Sequence, residues 1–111
     1  MEKIVSVLEQ DKIDIHYQPI FNLKSNKITG FESLSRFDTT PYRSPNIWFG
    51  EASKVHLGEE LEMIAIKRAI EGIGKFKTDI YIAINTSPEY VLSGAIARVL
   101  EGVDLTRIVL E

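Results

Sequence analysis

Apolar and polar positions follow two different periods along this chain, and the switches between them mark its elements. Residues 2–10 place Ile4, Val5 and Leu8 on one side of a helical projection, which predicts a short amphipathic helix. Residues 13–21 then alternate, with Ile13, Ile15 and Tyr17 on one face of a strand. Pro19 lacks a ladder donor, so this strand is expected to lie at an edge or to end nearby. Asn22 to Lys27, with Lys24-Ser25-Asn26 inside it, reads as a hairpin turn. A second strand follows over about Lys27 to Phe37, with Ile28, Gly30, Glu32, Leu34 and Arg36 expected on one face.

After a loop from Asp38 to Ser44 that contains Pro41, Ser44-Pro45 has the form of an N-cap followed by proline at the first helical position. Trp48, Phe49, Ala52 and Val55 share a helical stripe, and Gly58 is expected to close that helix. A longer helix is predicted from about Glu59 to Lys75, carrying Met63, Ile66, Ala69, Ile70 and Ile73 at three–four spacing. Asp79 to Asn85 is apolar on both faces, the pattern of a strand covered on both sides. Ser87-Pro88 repeats the cap-and-proline pair ahead of one helix with Leu92, Ala95, Ile96, Val99 and Leu100 in its stripe and Gly102 at its end. Arg107 to Glu111 opens a further buried strand. The order α, β, β, α, α, β, α, β predicts an α/β fold with a parallel sheet in its second half and an antiparallel first strand.

The 111 residues correspond to about one ordinary domain, and 44% hydrophobic with 26% charged residues is globular rather than disordered composition. A net charge of −3 argues against duplex nucleic acid as a partner, while leaving a single phosphate ligand within reach of one arginine. There is no cysteine, hence no disulfide framework and no thiolate metal site. The first ten residues lack the apolar core of a signal peptide, and no run approaches the length of a membrane span. A soluble, cytoplasmic protein is the expectation.

Chemistry concentrates at the ends of the strands. Glu32 interrupts an apolar strand face, and burying a carboxylate is costly unless a cation partners it. Asn85 ends the third strand and Glu111 the fourth, at places comparable to Glu32. In parallel α/β folds the carboxyl ends of the strands line the active face. Two carboxylates and an amide carbonyl are hard oxygen donors that suit Mg²⁺ or Mn²⁺ better than zinc. Taken alone, Asn85 more often reads as a turn or capping residue and Glu111 as a solvated terminus; their recurrence on successive strands is what sets them apart. Arg36 offers a planar fork to a phosphate, and Gln18 lies on the strand side that also holds His16. His16 and His56 read as surface residues, and Trp48 and Phe49 as core. No glycine-rich phosphate loop and no Ser–His–Asp or Cys–His set is present.

Five stretches in order resemble the EAL domain, the bacterial signalling phosphodiesterase that linearises cyclic di-GMP. Tyr17-Gln18-Pro19-Ile20 is similar to its YQPI strand, and Gly30-Phe31-Glu32-Ser33-Leu34-Ser35-Arg36 to its G-x-E-A-L-x-R signature. Ser44-Pro45 through Ala52 resembles the helix that follows, Asn85-Thr86-Ser87 the N-x-S element, and Leu110-Glu111 the first residues of the L-E-x-T-E strand. The resemblance implies the first half of a (β/α)₈ TIM-like barrel of roughly 250 residues, so that residues 1–111 form a partial EAL domain. It implies Glu32, Asn85 and Glu111 as metal ligands, Glu32 among them as a catalytic group, and Gln18, Leu34 and Arg36 as contacts to the dinucleotide.

Two Mg²⁺ or Mn²⁺ ions would serve hydrolysis of cyclic di-GMP to linear pGpG. Ser33 stands where the signature has alanine, a small change pointing away from Glu32. The family's Asp-Asp pair, its following lysine and its carboxyl-terminal glutamate have no counterpart here. A fragment inactive alone is therefore expected, with self-association through open barrel edges. The alternative is a degenerate module that binds cyclic di-GMP without cleaving it or serves in interaction and dimerisation.

Overall fold

The computed structural model describes residues 2–10, 13–39, 42–77 and 79–111, and for Glu2, Lys3 and Gln10 the backbone only. Helix α1 (Glu2–Gln10) precedes strands β1 (Ile13–Asn22) and β2 (Lys27–Phe37); helices α2 (Pro45–Lys54) and α3 (Gly58–Glu71) follow, then a 3₁₀ turn over Gly72–Lys75. Strand β3 (Tyr81–Ile84), short helices α4 (Pro88–Leu92) and α5 (Ala95–Val99), a 3₁₀ turn over Leu105–Arg107 and strand β4 (Ile108–Leu110) complete the chain. Thr40 and Pro41 of the expected loop lie outside the described residues.

The four strands form one sheet in chain order: β1 pairs antiparallel with β2, while β2–β3 and β3–β4 are parallel. As Pro19 requires, β1 is an edge strand, although it continues past the proline to Asn22. The hairpin turn is built by Asn22, whose Oδ1 accepts from the Lys24 and Ser25 amides at 2.9 and 3.2 Å. Asn26, at φ 58°, takes the left-handed step that asparagine tolerates better than most residues.

Register sorts the strand residues onto two faces. Gln18 pairs with Glu32, Glu32 with Ala83, and Ala83 with Val109, so these four form a row across the sheet. Their neighbours Phe31, Ile82 and Ile84 turn the other way, toward the helices. One expectation fails here. The register slips between Ile20 and Phe21: Ile20 faces Gly30 but Phe21 faces Ile28, leaving Thr29 as an extra residue. That bulge moves Ile28 to the face opposite Gly30, Glu32, Leu34 and Arg36.

The helix side holds two cores joined by α3. Ile4, Val7, Ile13, Phe37, Trp48, Ala52 and Leu61 make the first, with Phe37 stacked on Trp48 at 5.5 Å. Ile66, Ala69, Ile82, Ile84, Ile96 and Leu100 make the second. Fully burying an isoleucine contributes about 1.5–3 kcal/mol, so the second core holds α3 and α5 against β3.

Two helix boundaries depart from the apolar pattern. Gly58 opens α3 instead of ending α2; α2 stops at Lys54, and His56 makes the turn at φ 62°. The single helix expected after Pro88 is two, because Gly94 sits at φ 87° between α4 and α5. Leu92 consequently leaves the stripe and is 87% exposed.

Tyr17 ties β1 to α3: its hydroxyl donates to the Ala69 carbonyl at 2.9 Å, and its ring meets Phe76 edge-on at 5.0 Å. Burial, and after it the charges of Glu71 and Asp14, hold this phenol above its usual range. A group protonated more tightly when folded stabilises the fold below pH 10 and loses that contribution as pH rises through its folded value. Tyr17→Phe is expected to cost about 0.5–1.5 kcal/mol in urea unfolding at pH 7. The gap to wild type should narrow as pH is raised past the ordinary phenol range; a gap that widens would contradict the assignment.

At Gly94 the left-handed backbone is the whole reason for glycine, since a Cβ there would meet only Arg98 at 3.6 Å. Gly94→Ala should therefore lower stability by roughly 1 kcal/mol, read as a lower urea midpoint with an unchanged slope.

Candidate active site

Sequence-distant polar groups meet where the pairing of β2 with β3 ends. The pairing of Glu32 with Ala83 puts Asn85, two residues on and just past the end of β3, beside the Glu32 carboxylate. The Asn85 side-chain NH₂ donates to Glu32 Oε2 at 3.3 Å. The parallel ladder runs on beyond β4: the Glu111 N–H donates to the Ile84 carbonyl at 2.9 Å, and the Thr86 N–H to the Glu111 carbonyl at 3.0 Å. Strand alternation then assigns Glu111 to the face of Val109, the face that also holds Glu32 and Ala83.

The remaining expected residues are set by the β1–β2 register. Gln18 lies opposite Glu32, and Leu34, two pairs further on, lies opposite His16. Arg36 lies opposite Asp14 and donates through Nη1 to the Ser35 carbonyl at 2.9 Å. The structure thus joins Glu32 to Asn85 by a hydrogen bond, holds Gln18 in register with Glu32, and carries Leu34 and Arg36 up the same face. Glu111 joins through its backbone. A cavity of about 440 Å³ opens at this end, with Leu34, Arg36, Pro45, Phe49, Glu62 and Asn85 among its lining residues. His16 and His56 are exposed, the former 3.3 Å from Asp14, and neither enters it.

The donor chemistry suits a hard cation. No three His, Cys, Asp or Glu side chains cluster among the described residues. Glu32, Glu111 and the Asn85 amide could offer an ion only oxygen donors, a chemistry that suits a divalent cation.

Glu62 was not singled out by its sequence. It lies on α3, almost wholly buried, and accepts from the Ser87 N–H at 3.0 Å and the Ser87 hydroxyl at 2.6 Å. The available signal was position: Glu62 falls on the stripe of Ile66, Ala69 and Ile73, where an acid is out of place. Burial, and after it Glu89, Glu62, Glu59 and Glu60, raise the phenol of nearby Tyr90.

Comparison with known proteins bears on this arrangement. The probable cyclic di-GMP phosphodiesterase PdeB of Escherichia coli K12 is 29% identical over 103 residues, covering 88% of this chain and 20% of PdeB. The phosphodiesterase PaMucR, solved in complex with cyclic di-GMP, superposes with a TM-score of 0.80 at 19% identity, over 98% of this chain and 49% of that one. The EAL-containing YkuI protein of Bacillus subtilis, in complex with substrate cyclic di-GMP and calcium, gives a TM-score of 0.64 at 23% identity, over 96% of this chain and 29% of that one. The sheet, with its antiparallel first strand, is the first half of the TIM-like barrel of EAL domains, and the chain spans less than half the length of these relatives. A family model described as EAL domain matches residues 1–111, and the chain belongs to that family.

Proposed function

We propose that this chain forms the amino-terminal half of a cyclic di-GMP phosphodiesterase that produces linear pGpG, and that residues 1–111 are inactive without the other half. The observation that supports this most is the contact of Asn85 with Glu32, made where the parallel β2–β3 pairing ends, with Gln18 in register beside it. On this reading Glu32, Asn85 and Glu111 hold Mg²⁺ or Mn²⁺. When bound, such ions lower the pKa of a water and offset charge on the attacked phosphodiester.

The chain's own residues supply position. Glu32 brings a half-buried carboxylate to the reacting end of the sheet. Arg36 presents a guanidinium that suits a phosphate oxygen, and Leu34 and Gln18 shape and line the adjoining surface. Water attack at phosphorus breaks one bond to a ribose oxygen, and the ring opens to pGpG. No helix among the described residues is long and apolar enough to cross a membrane. The reading places the domain in the cytoplasm, in keeping with a nucleotide ligand.

The test is hydrolysis of cyclic di-GMP by the full-length protein, with pGpG followed by chromatography. Glu32→Gln and Asn85→Ala should each lower turnover at least ~100-fold, since even outer-shell changes at metal sites cost 10–100-fold. Removal of divalent cations should abolish it. Tight cyclic di-GMP binding with no turnover in wild type would replace the enzyme by a receptor.

We further propose that the isolated 111 residues associate through the sheet. Val109 and Leu110 of β4 are 44% and 41% exposed, and among the described residues no strand pairs with its outer edge. Light scattering on the isolated chain should give a mass at or above a dimer; a monomer at high concentration refutes this.

A further inference from the structure

The two residues after Asn85 are tied in opposite directions. Thr86 donates to the Glu111 carbonyl from both its N–H and its Oγ1, each at 3.0 Å. Ser87 gives its N–H to one oxygen of Glu62 and its hydroxyl to the other. The turn that carries Asn85 is therefore held from β4 on one side and from α3 on the other.

The Ser87–Glu62 pair does not serve the usual purpose of a serine in this position. Ser87 is the N-cap residue of α4, yet its side chain makes no capping bond to that helix. The hydroxyl that would cap α4 is turned to Glu62 instead. Nor does the pair secure a buried element, because α4 has only five residues and none of them is buried. What it does hold is the start of that helix, two residues from Asn85. A carboxylate only 8% exposed is costly to desolvate, and two donors from one residue offset part of that cost.

We infer that Glu62 is a positioning residue: through Ser87 it fixes the Asn85-Thr86-Ser87 turn so that the Asn85 amide is aimed at Glu32. Its consequence for cation binding rests on the phosphodiesterase reading; the geometric part does not. The hydrogen bonds of Glu62 go to Ser87, so its effect passes through the turn. Thr86 restrains the same turn from the side of Glu111, so loss of Glu62 leaves the turn after Asn85 restrained from one side instead of two.

The test uses the full-length protein with Glu62→Ala, Glu62→Gln and Ser87→Ala, and Ile70→Ala as a change in α3 remote from the turn. Mn²⁺ affinity is measured by calorimetry, and the Asn85 side-chain amide is followed by NMR with ¹⁵N-asparagine labelling. Glu62→Ala should weaken Mn²⁺ binding about 10–100-fold and shift the Asn85 amide resonances. Glu62→Gln, which keeps one acceptor oxygen, should fall between it and wild type, and Ile70→Ala should change neither quantity.

Turnover lost in Glu62→Ala should return as Mn²⁺ is raised, which a general loss of structure would not allow. If Glu62→Ala does not fold, Glu62→Gln and Ser87→Ala carry the same comparison. Unchanged affinity together with unmoved Asn85 resonances overturns the inference. If the wild-type protein binds no Mn²⁺, the phosphodiesterase reading fails, and the Asn85 resonances alone decide the role of Glu62: shifted supports it, unmoved overturns it.

Discussion

The parallel pairing of β2 with β3 spans only Gly30–Tyr81, Phe31–Ile82 and Glu32–Ala83, and the site exists because of it. It sets Asn85 beside Glu32, sequence-distant residues on strands that the chain must leave and rejoin through α2 and α3. The contact itself is too weak to cause this. At 3.3 Å the Asn85–Glu32 hydrogen bond is longer than the usual range, and such bonds contribute on the order of 1 kcal/mol when exposed. Ile66, Ile82, Ile84 and Ile96, buried on the other side of the same strands, each contribute about 1.5–3 kcal/mol. The apolar side of the sheet determines the register, and the polar side inherits its geometry.

Asymmetry between the faces explains how a chain of ordinary composition carries charged groups inside a strand. Phe31, Ile82 and Ile84 are covered by helices, while Gln18, Glu32 and Arg36, in β1 and β2, keep access to solvent. Gly30 makes the second face workable lower down, since a Cβ there would lie 2.7 Å from the Tyr81 ring. Glu32, next on this face and only half-buried, sits in the strand without the full cost of burying a carboxylate.

Much of this was legible in the sequence where local pattern and tertiary demand agree. The bounds of β2 followed from alternation and the Asn-rich turn, and Pro19 marked an edge strand. Glu32, Asn85 and Glu111 stood out because polar atoms at strand ends are chemically conspicuous. The misses share a physical cause: single residues that redirect the backbone without altering the apolar pattern. Thr29 bulges and flips Ile28; Gly94 turns left-handed and divides one apolar stripe into α4 and α5; His56 turns the chain where Gly58 was expected to. Glu62 escaped for a different reason. Its partner Ser87 is 25 residues away, and nothing local shows that a buried acid on a helix stripe will find two donors.

The same asymmetry bears on why completion of the barrel and cation binding belong together. In this half the Glu32 carboxylate is half-buried and still hydrated, so an unpaired charge there is tolerable. A second half closing over Val109 and Leu110 would turn the wet face into an interior and remove that hydration. The Asn85 amide, a neutral donor at 3.3 Å, offsets little of the resulting cost. On the proposed reading a divalent ion would offset far more, and it would favour the Asn85 amide oxygen, not its NH₂, toward the site. Closure would then raise the need for a cation, and a cation would favour closure. On the same reading, the two restraints on the turn, through Thr86 and Ser87, would hold Asn85 beside Glu32.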